Sequence, residues 1–405
     1  MSREDDAARQ SLLHNRNFML LWGGQLVSWV GTEVTGIALP LLVLALTGSP
    51  GYAGLVAAER SAVYVLLALP AGALLDRWDR RQVMILANAG SGIALGSICV
   101  ALLVGHLSVA HLFLACAVEG ACFVFANLAR FTALRHVVPP EHYSAAVAQN
   151  SVADYIALLL GPPLGGFLYQ LAGAVVALLV DAASYAVNAL SIFFIKIPFQ
   201  ESRERAPATL AAEVRVAVDW LWRQRMLRHL NLLSAGRTAI TSGLYLMVVV
   251  LAKQHHASSA AIGGIFAVSA VAGILGAIAA SRLYRRLRSR TVIWLTTGVT
   301  WILVSCYLAA TNLFLITIVT AGVYFFGPLF EISMRTSTNI GVPDALRGRV
   351  FSLMRVMELG SYSLGFFVIG LLLQYAGSTA AIGCLAGILL VLTLFAKLNP
   401  SFRAL

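Results

Sequence analysis

Charge is scarce in this chain: Asp, Glu, Lys and Arg together make up 12% of its 405 residues, and only 18 residues are acidic. So small a polar complement cannot cover a soluble globule of this length, and the mean hydropathy of +0.82 leads to the same conclusion. Short segments of alternating polarity are also missing, which argues against a membrane β-barrel. Cysteine is sparse. Cys99, Cys116, Cys122, Cys306 and Cys384 all fall inside apolar runs without metal-ligand spacing, so they are expected to be buried small hydrophobes and no metal site is expected. A Ser-His-Asp set, a phosphate-binding Gly-rich loop and a His-Glu-His motif are likewise lacking, so neither an enzyme nor a resident cofactor is expected.

The chain is instead rich in long apolar runs. Phe18 to Leu46 holds a single ionisable residue, and about 20 apolar residues cross the hydrocarbon core as a helix. Lipid leaves backbone groups no partner but each other, so continuous runs of this kind predict an all-α integral membrane protein. Runs starting near Phe18, Tyr52, Val83, His111, Ser144, Val175, Leu230, Ser259, Thr291, Leu313, Val350 and Ala380 give about twelve transmembrane helices. The stretch before the first run is polar and mixed in charge, so no cleavable signal peptide is expected.

The net charge of +11 comes from alternate loops, "DRWDRRQ", "SRLYRRLRSR" and "RTSTNIGVPDALRGR" among them, whereas the opposite loops contain one lysine, Lys253, and no arginine. Basicity is therefore a signal of topology, with contact to anionic membrane lipids, and not of nucleic-acid binding. By the positive-inside rule both termini face the cytoplasm, in a multi-pass protein of the cell (inner) membrane.

The chain also looks duplicated. "AGALLDRWDRR" is echoed by "LGAIAASRLYRR", and "VVPPEHYSAAVAQN" by "GVPDALRGRVFSLM", at nearly equal offset. Two six-helix halves follow: residues 1–17 form a cytoplasmic segment, 18–197 and 230–397 the two bundles, 198–229 a central linker, and 398–405 a tail. Within the linker, Leu210, Val214, Val218 and Leu221 share one face of a helix lying on the membrane or under the bundle.

The loop "GALLDRWDRR" fits Gly-x-x-x-Asp-Arg-x-x-Arg-Arg at Gly72, Asp76, Arg77, Arg80 and Arg81. With the two-half layout, this resembles the major facilitator superfamily over essentially the whole chain. The resemblance implies a twelve-helix major-facilitator architecture in which Asp76 latches onto the start of the eleventh helix, near residues 349–352, on the cytoplasmic side. Gly72 would allow close helix approach and the arginines would contact phosphates or carboxylates. A plain topology determinant is the other reading for Arg80 and Arg81.

In the fifth span, "GPPLGG" (Gly161, Pro162, Gly165, Gly166) resembles an element associated in that superfamily with proton-exchanging exporters. A structural kink is the alternative reading. The first span, the loop motif and "VPDALRGRVFSLM" are most similar to the bacterial branch with macrolide and enterobactin exporters, although Glu33 stands where that branch commonly has Asp. The fourth span departs further: it lacks a central arginine and carries Glu119, with Arg130 only near its inner end.

Ionisable residues at membrane depth cost roughly 2.5–3.5 kcal/mol on insertion scales and so call for a role. Glu33 and Glu119, near mid-span, are the preferred proton-coupling candidates, with Asp154 behind them. Desolvation favours the protonated acid, which suits a group that exchanges a proton with either side. Neutralisation by a helix neighbour is the plain alternative. Asp154, Arg237 and Asp181 suit gate pairing, and Arg355 with Glu358, at i,i+3, an internal pair. Trp29, Tyr64, Phe123, Tyr155, Arg237, Tyr245 and Phe326 are cavity candidates, whose aromatic surfaces suit bulky amphiphiles over sugars.

The expectation is a monomeric secondary transporter, a proton-coupled exporter of a small hydrophobic or amphiphilic compound such as a drug, antibiotic or siderophore. A facilitator or (lyso)lipid transporter without proton coupling is the alternative, and a membrane enzyme or receptor the remoter one.

Overall fold

The computed structural model describes residues 12, 14–75, 77–199, 210–283, 288–342 and 344–404. Helix dominates, and no strand occurs among the described residues. The order is α1 (Arg16–Thr47), α2 (Pro50–Leu75), α3 (Arg80–Leu103), α4 (Val109–Val137), α5 (Tyr143–Phe193), α6 (Leu210–Arg223), α7 (Arg225–Gln254), α8 (Ser259–Leu283), α9 (Ser289–Cys306), α10 (Leu313–Gly341), α11 (Asp344–Tyr375) and α12 (Gly377–Leu398).

Helix starts follow local chemistry. Pro50 occupies the first position of α2, where a missing N–H is harmless. Asp79, Ser108 and Asn312 cap α3, α4 and α10 through side-chain oxygens that accept backbone N–H bonds. Several helices begin a few residues before their apolar run, because polar residues extend them past the hydrocarbon. α11 starts at Asp344, earlier than the expected 349–352.

Ten helices among the described residues are long and apolar enough to cross a membrane. One of these includes α5, whose 51 residues would reach roughly 77 Å, more than twice a hydrocarbon core of about 30 Å. α5 bends at Gly173, whose φ of 77° is left-handed backbone open to glycine. The bend falls in "QLAGA", the expected outer loop between the fifth and sixth spans. With α2 also of span length at 26 residues, the architecture accords with the twelve spans expected.

Polarity is inverted relative to a soluble protein. Leu66, Leu86, Ile93 and Leu103 are about seven-tenths exposed, while Asn88, Ser91, Asp181 and Asn188 are buried. The apolar surface suits lipid contact, and the chain is a multi-pass membrane protein. Among the cysteines, Cys99 and Cys116 are buried as expected, but Cys306, at the end of α9, is exposed.

The chain forms two compact units, residues 1–42 with 62–206 and residues 43–61 with 207–405. In the first, Phe18, Leu21, Met84, Ala133, Ile192 and Phe199 share a core. Asn15 ties the foot of α1 to the end of α4 through its amide N–H bond to the Val137 carbonyl, 3.0 Å. In the second, Leu221 of α6 is buried with Leu227, Leu230, Val350 and Phe402, so the amphipathic helix packs into this unit's core. The second unit also takes in the adjoining ends of α1 and α2, where the Ser49 hydroxyl donates to Gln374 Oε1 (2.7 Å) and the Ser363 hydroxyl to the Ala58 carbonyl (2.8 Å). Arg355 pairs with Glu358 at 2.8 Å, as their spacing predicts.

Candidate functional site

Two features noted separately in the sequence meet in the first unit. Gly161, Pro162, Gly165 and Gly166 are all buried on α5, and α1 lies in the groove that the glycines leave. A Cβ placed on Gly161 would collide with the Glu33 Cβ, and one on Gly165 would fall 2.7 Å from the Val34 carbonyl oxygen. Glycine four residues apart removes two ridges from one face of the helix, which lets backbones approach closely. Glu33 thus stands at the tightest part of the α1–α5 contact.

Two other carboxylates of this unit, Glu119 and Asp181, are buried and held by hydroxyls. Glu119 on α4 accepts from the Tyr185 hydroxyl at 2.6 Å, and that hydroxyl lies 3.3 Å from Thr32 Oγ1. Asp181, 1% exposed, accepts from Thr35 Oγ1 at 2.6 Å and from the Ser184 hydroxyl at 3.1 Å. Such charge-assisted bonds offset part of the cost of burying a carboxylate. For Asp181, read in the sequence as a gate residue, they join α1 to the second arm of α5.

The Thr32 and Tyr185 hydroxyls border a narrow cleft between α1, α3, α4 and α5. Gln25, Ser28, Trp29 and Thr32 line it from α1, Asn88 and Ser91 from α3, Phe123 and Asn127 from α4, and Tyr185 and Asn188 from α5. Asn188 Nδ2 donates to Asn88 Oδ1 at 2.9 Å, and Asn88 Nδ2 to the Met84 carbonyl at 2.7 Å. The Asn188–Asn88 bond, which joins α5 to α3, differs from the bonds of the buried threonines of α9. Thr296, Thr297 and Thr300 each donate to a carbonyl one turn back on their own helix, a local arrangement.

Of the cavity candidates, Trp29 and Phe123 line the cleft, and Tyr64 stands beside it, its ring centroid 6.4 Å from that of Phe123. Tyr155 does not join them and is half exposed on α5. Arg130 is buried, its guanidinium 4.5 Å from the Trp29 ring centroid and 4.7 Å from that of Phe131. Asp154, exposed on α5, lies close enough to Arg130 to act on it electrostatically.

Arg237, Tyr245 and Phe326 belong to the second unit. Arg237 is buried with its guanidinium 4.3 Å over the Phe330 ring, Tyr245 stacks on Phe266 at 4.4 Å, and Phe326 meets Phe325 edge to face.

The arginines of the loop motif reach backbone carbonyls. Arg81 Nε donates to the Ile192 carbonyl at 3.4 Å and its Nη2 to the Phe193 carbonyl, while Arg80 Nη1 reaches the Phe199 carbonyl at 3.4 Å. Cations here neutralise the negative end of α5. Arg77 is exposed. Among the described residues, a Cβ on Gly72 would meet nothing within 4 Å. Asp76 lies outside the described residues.

The cleft's amides and hydroxyls escaped the sequence reading, although a signal existed. Gln25, Ser28, Trp29 and Thr32 recur at i, i+3, i+4 and i+7, a polar stripe on one face of an apolar helix.

The family model described as Major Facilitator Superfamily matches residues 21–365. The chain belongs to that superfamily. It is therefore a membrane transporter and not an enzyme. Among curated relatives, the chain is 24% identical over 405 residues to the multidrug efflux pump Tap of Mycobacterium tuberculosis, covering 96% of this chain and 94% of Tap. It is 24% identical over 387 residues to the enterobactin exporter EntS of Citrobacter koseri, covering 91% and 88%. Among solved structures, the nucleoside transporter NupG superposes with a TM-score of 0.73 at 15% identity, covering 96% and 99%. A bacterial homologue of the human lysosomal transporter Spinster superposes at 0.72 and 13%, covering 99% and 96%. These two likenesses concern the fold alone.

Proposed function

We propose that this superfamily member is a secondary active exporter that carries a small amphiphilic compound, such as a drug, antibiotic or siderophore, out across the cytoplasmic membrane in exchange for protons. The observation that carries the reading is the seat of Glu33 against Gly161. An acid in the tightest part of a helix contact changes that contact when it changes charge. Protonated, it packs as a neutral group. Ionised, it carries the cost of a charge at mid-membrane, roughly 2.5–3.5 kcal/mol on insertion scales, and that cost bears on the contact between α1 and α5. Proton exchange at Glu33 thus biases the bundle between arrangements, as alternating access requires. Glu119 and Asp154 are the reserve sites. The full-length likeness to two exporters favours the outward direction. The working unit is the monomer, with both termini cytoplasmic, protons as the coupling ion and lipid around its apolar faces.

A drug and metabolite susceptibility panel in an efflux-deficient host tests this reading. The intact chain is expected to raise tolerance to at least one amphiphilic compound, and Glu33→Gln to remove that gain at equal membrane abundance. An intact chain that protects against nothing, or protection that survives collapse of the proton gradient, overturns it. The second result points to a facilitator or lipid transporter.

A further inference from the structure

A turn after α12 is tied to the foot of α7 by one ring nitrogen. Asn399 caps α12, and the chain then winds through a short 3-10 turn, Pro400–Ala404. Asn399 Nδ2 lies 3.1 Å and Ser401 Oγ 3.2 Å from His229 Nδ1. The amide is fixed in direction, because its Oδ1 accepts the Ser401 backbone N–H at 2.9 Å. Its Nδ2 can only donate, so Nδ1 must offer a lone pair. His229 is therefore neutral in this arrangement, with its proton on Nε2. The ring also stands edge to face with Phe395 and Phe402, centroids 5.5 and 6.5 Å away. Phe402 is 1% exposed, in one core with Leu221 of α6, Leu227 and Leu230 of α7 and Val350 of α11.

We infer that His229 is a pH switch: when the cytoplasm acidifies, a proton on Nδ1 ejects the Asn399 amide and releases the turn at Pro400–Ala404 from α7. The proton comes from solvent and sets two donors face to face across 3.1 Å. The Ser401 hydroxyl can rotate to accept from the new N–H, but Asn399 can answer only by flipping its amide, which leaves the Ser401 N–H unpaired. The surrounding charges offer the imidazolium no compensation. Those that act on His229 are Arg228 and Arg225 of its own helix. From α12, Lys397 sets its ammonium over the Trp294 ring at 5.4 Å, and from α9, Arg290 donates to the Lys397 carbonyl at 2.7 Å. Asp219 and Arg223 of α6 are exposed, and the Arg403 side chain lies outside the described residues. The sign follows from the bond: the latch needs the neutral ring, so it holds above the histidine range and is lost as pH falls through it. Release reaches past the turn, because Phe402 leaves a core that the feet of three helices share. The switch assumes nothing about cargo or about Glu33. It reads the cytoplasm because both termini are placed there by the arginine bias.

The test uses the full chain in nanodiscs, in a background without native cysteines, with a nitroxide attached to Ala404→Cys. Its mobility is read by electron paramagnetic resonance between about pH 8 and about pH 5, a range that brackets histidine titration. The label is expected to be immobilised at the alkaline end and mobile at the acid end, with a midpoint at or below about pH 6.5, the ordinary histidine value. His229→Gln keeps a neutral side chain that can accept, so its label is expected to stay immobilised throughout. Asn399→Asp replaces the donor by an acceptor, which gives the protonated ring a partner, and acid release is expected to disappear. A native-background label whose mobility does not change with pH overturns the inference. So does acid release of the same size and midpoint in His229→Gln or in Asn399→Asp. Where His229→Gln leaves the label mobile at every pH, Asn399→Asp decides: a turn held at acid pH supports the switch, and a turn released there overturns it.

Discussion

The side chain of Glu33 occupies the space that any side chain on Gly161 would need. An ionisable group in the first span and a glycine in the fifth are therefore one feature, and each limits what the other can be.

Gly161→Ala is expected to push α1 away from α5 and to destabilise the protein by roughly 1–3 kcal/mol, the usual range for overpacking. Gly72→Ala, where a Cβ meets nothing within 4 Å among the described residues, is expected to stay within about 0.5 kcal/mol. Thermal unfolding of both variants in the same detergent checks the contrast. Equal losses would contradict the packing described at Gly161.

The Tyr185 hydroxyl donates to Glu119 at 2.6 Å, and a bond to a charged acceptor is worth about 1.5–3 kcal/mol. Tyr185→Phe is expected to cost that much in the native background and markedly less alongside Glu119→Gln. A double-mutant cycle by thermal unfolding measures the coupling. Strict additivity would show that the two side chains do not act together.

These pairs mark how far the sequence could be read. Periodic apolar runs and the bias of arginine between loops suffice for the spans and their order, because a membrane imposes length and polarity on each helix independently. The spacing of Arg355 and Glu358 gives their pair for the same reason: both ends lie on one helix. The cleft is a different matter. Asn88 and Asn188 meet across 100 residues, and neither differs in sequence from a polar residue satisfied by its own helix, as Thr296 is. Likewise, nothing local to "DRWDRR" says that Arg81 will hold the carbonyls at the end of α5. Only the packing of α3 on α5 decides that.

Asp76→Asn removes the compact anion of the loop motif while keeping its shape. Export is expected to fall, with membrane abundance nearly unchanged, as checked by quantitative blotting beside a drug-accumulation assay. Normal export would remove Asp76 from the gate, and lost abundance would make it structural.

The arginine bias fixes an orientation that can be tested directly. In a background without native cysteines, Ser49→Cys is expected to react with an impermeant thiol reagent applied outside intact cells, and Ser289→Cys to remain protected. The reverse pattern would invert the topology and the direction of transport with it.

The central claim, that Glu33 couples export to protons, is tested most directly by substrate accumulation in everted membrane vesicles under an imposed proton gradient. Glu33→Gln fixes the neutral form, so the variant is expected to lose accumulation against a gradient while still exchanging substrate downhill. Uphill accumulation by the Gln protein at a rate near that of the native chain would contradict the account, and the coupling role would pass to Glu119 or Asp154.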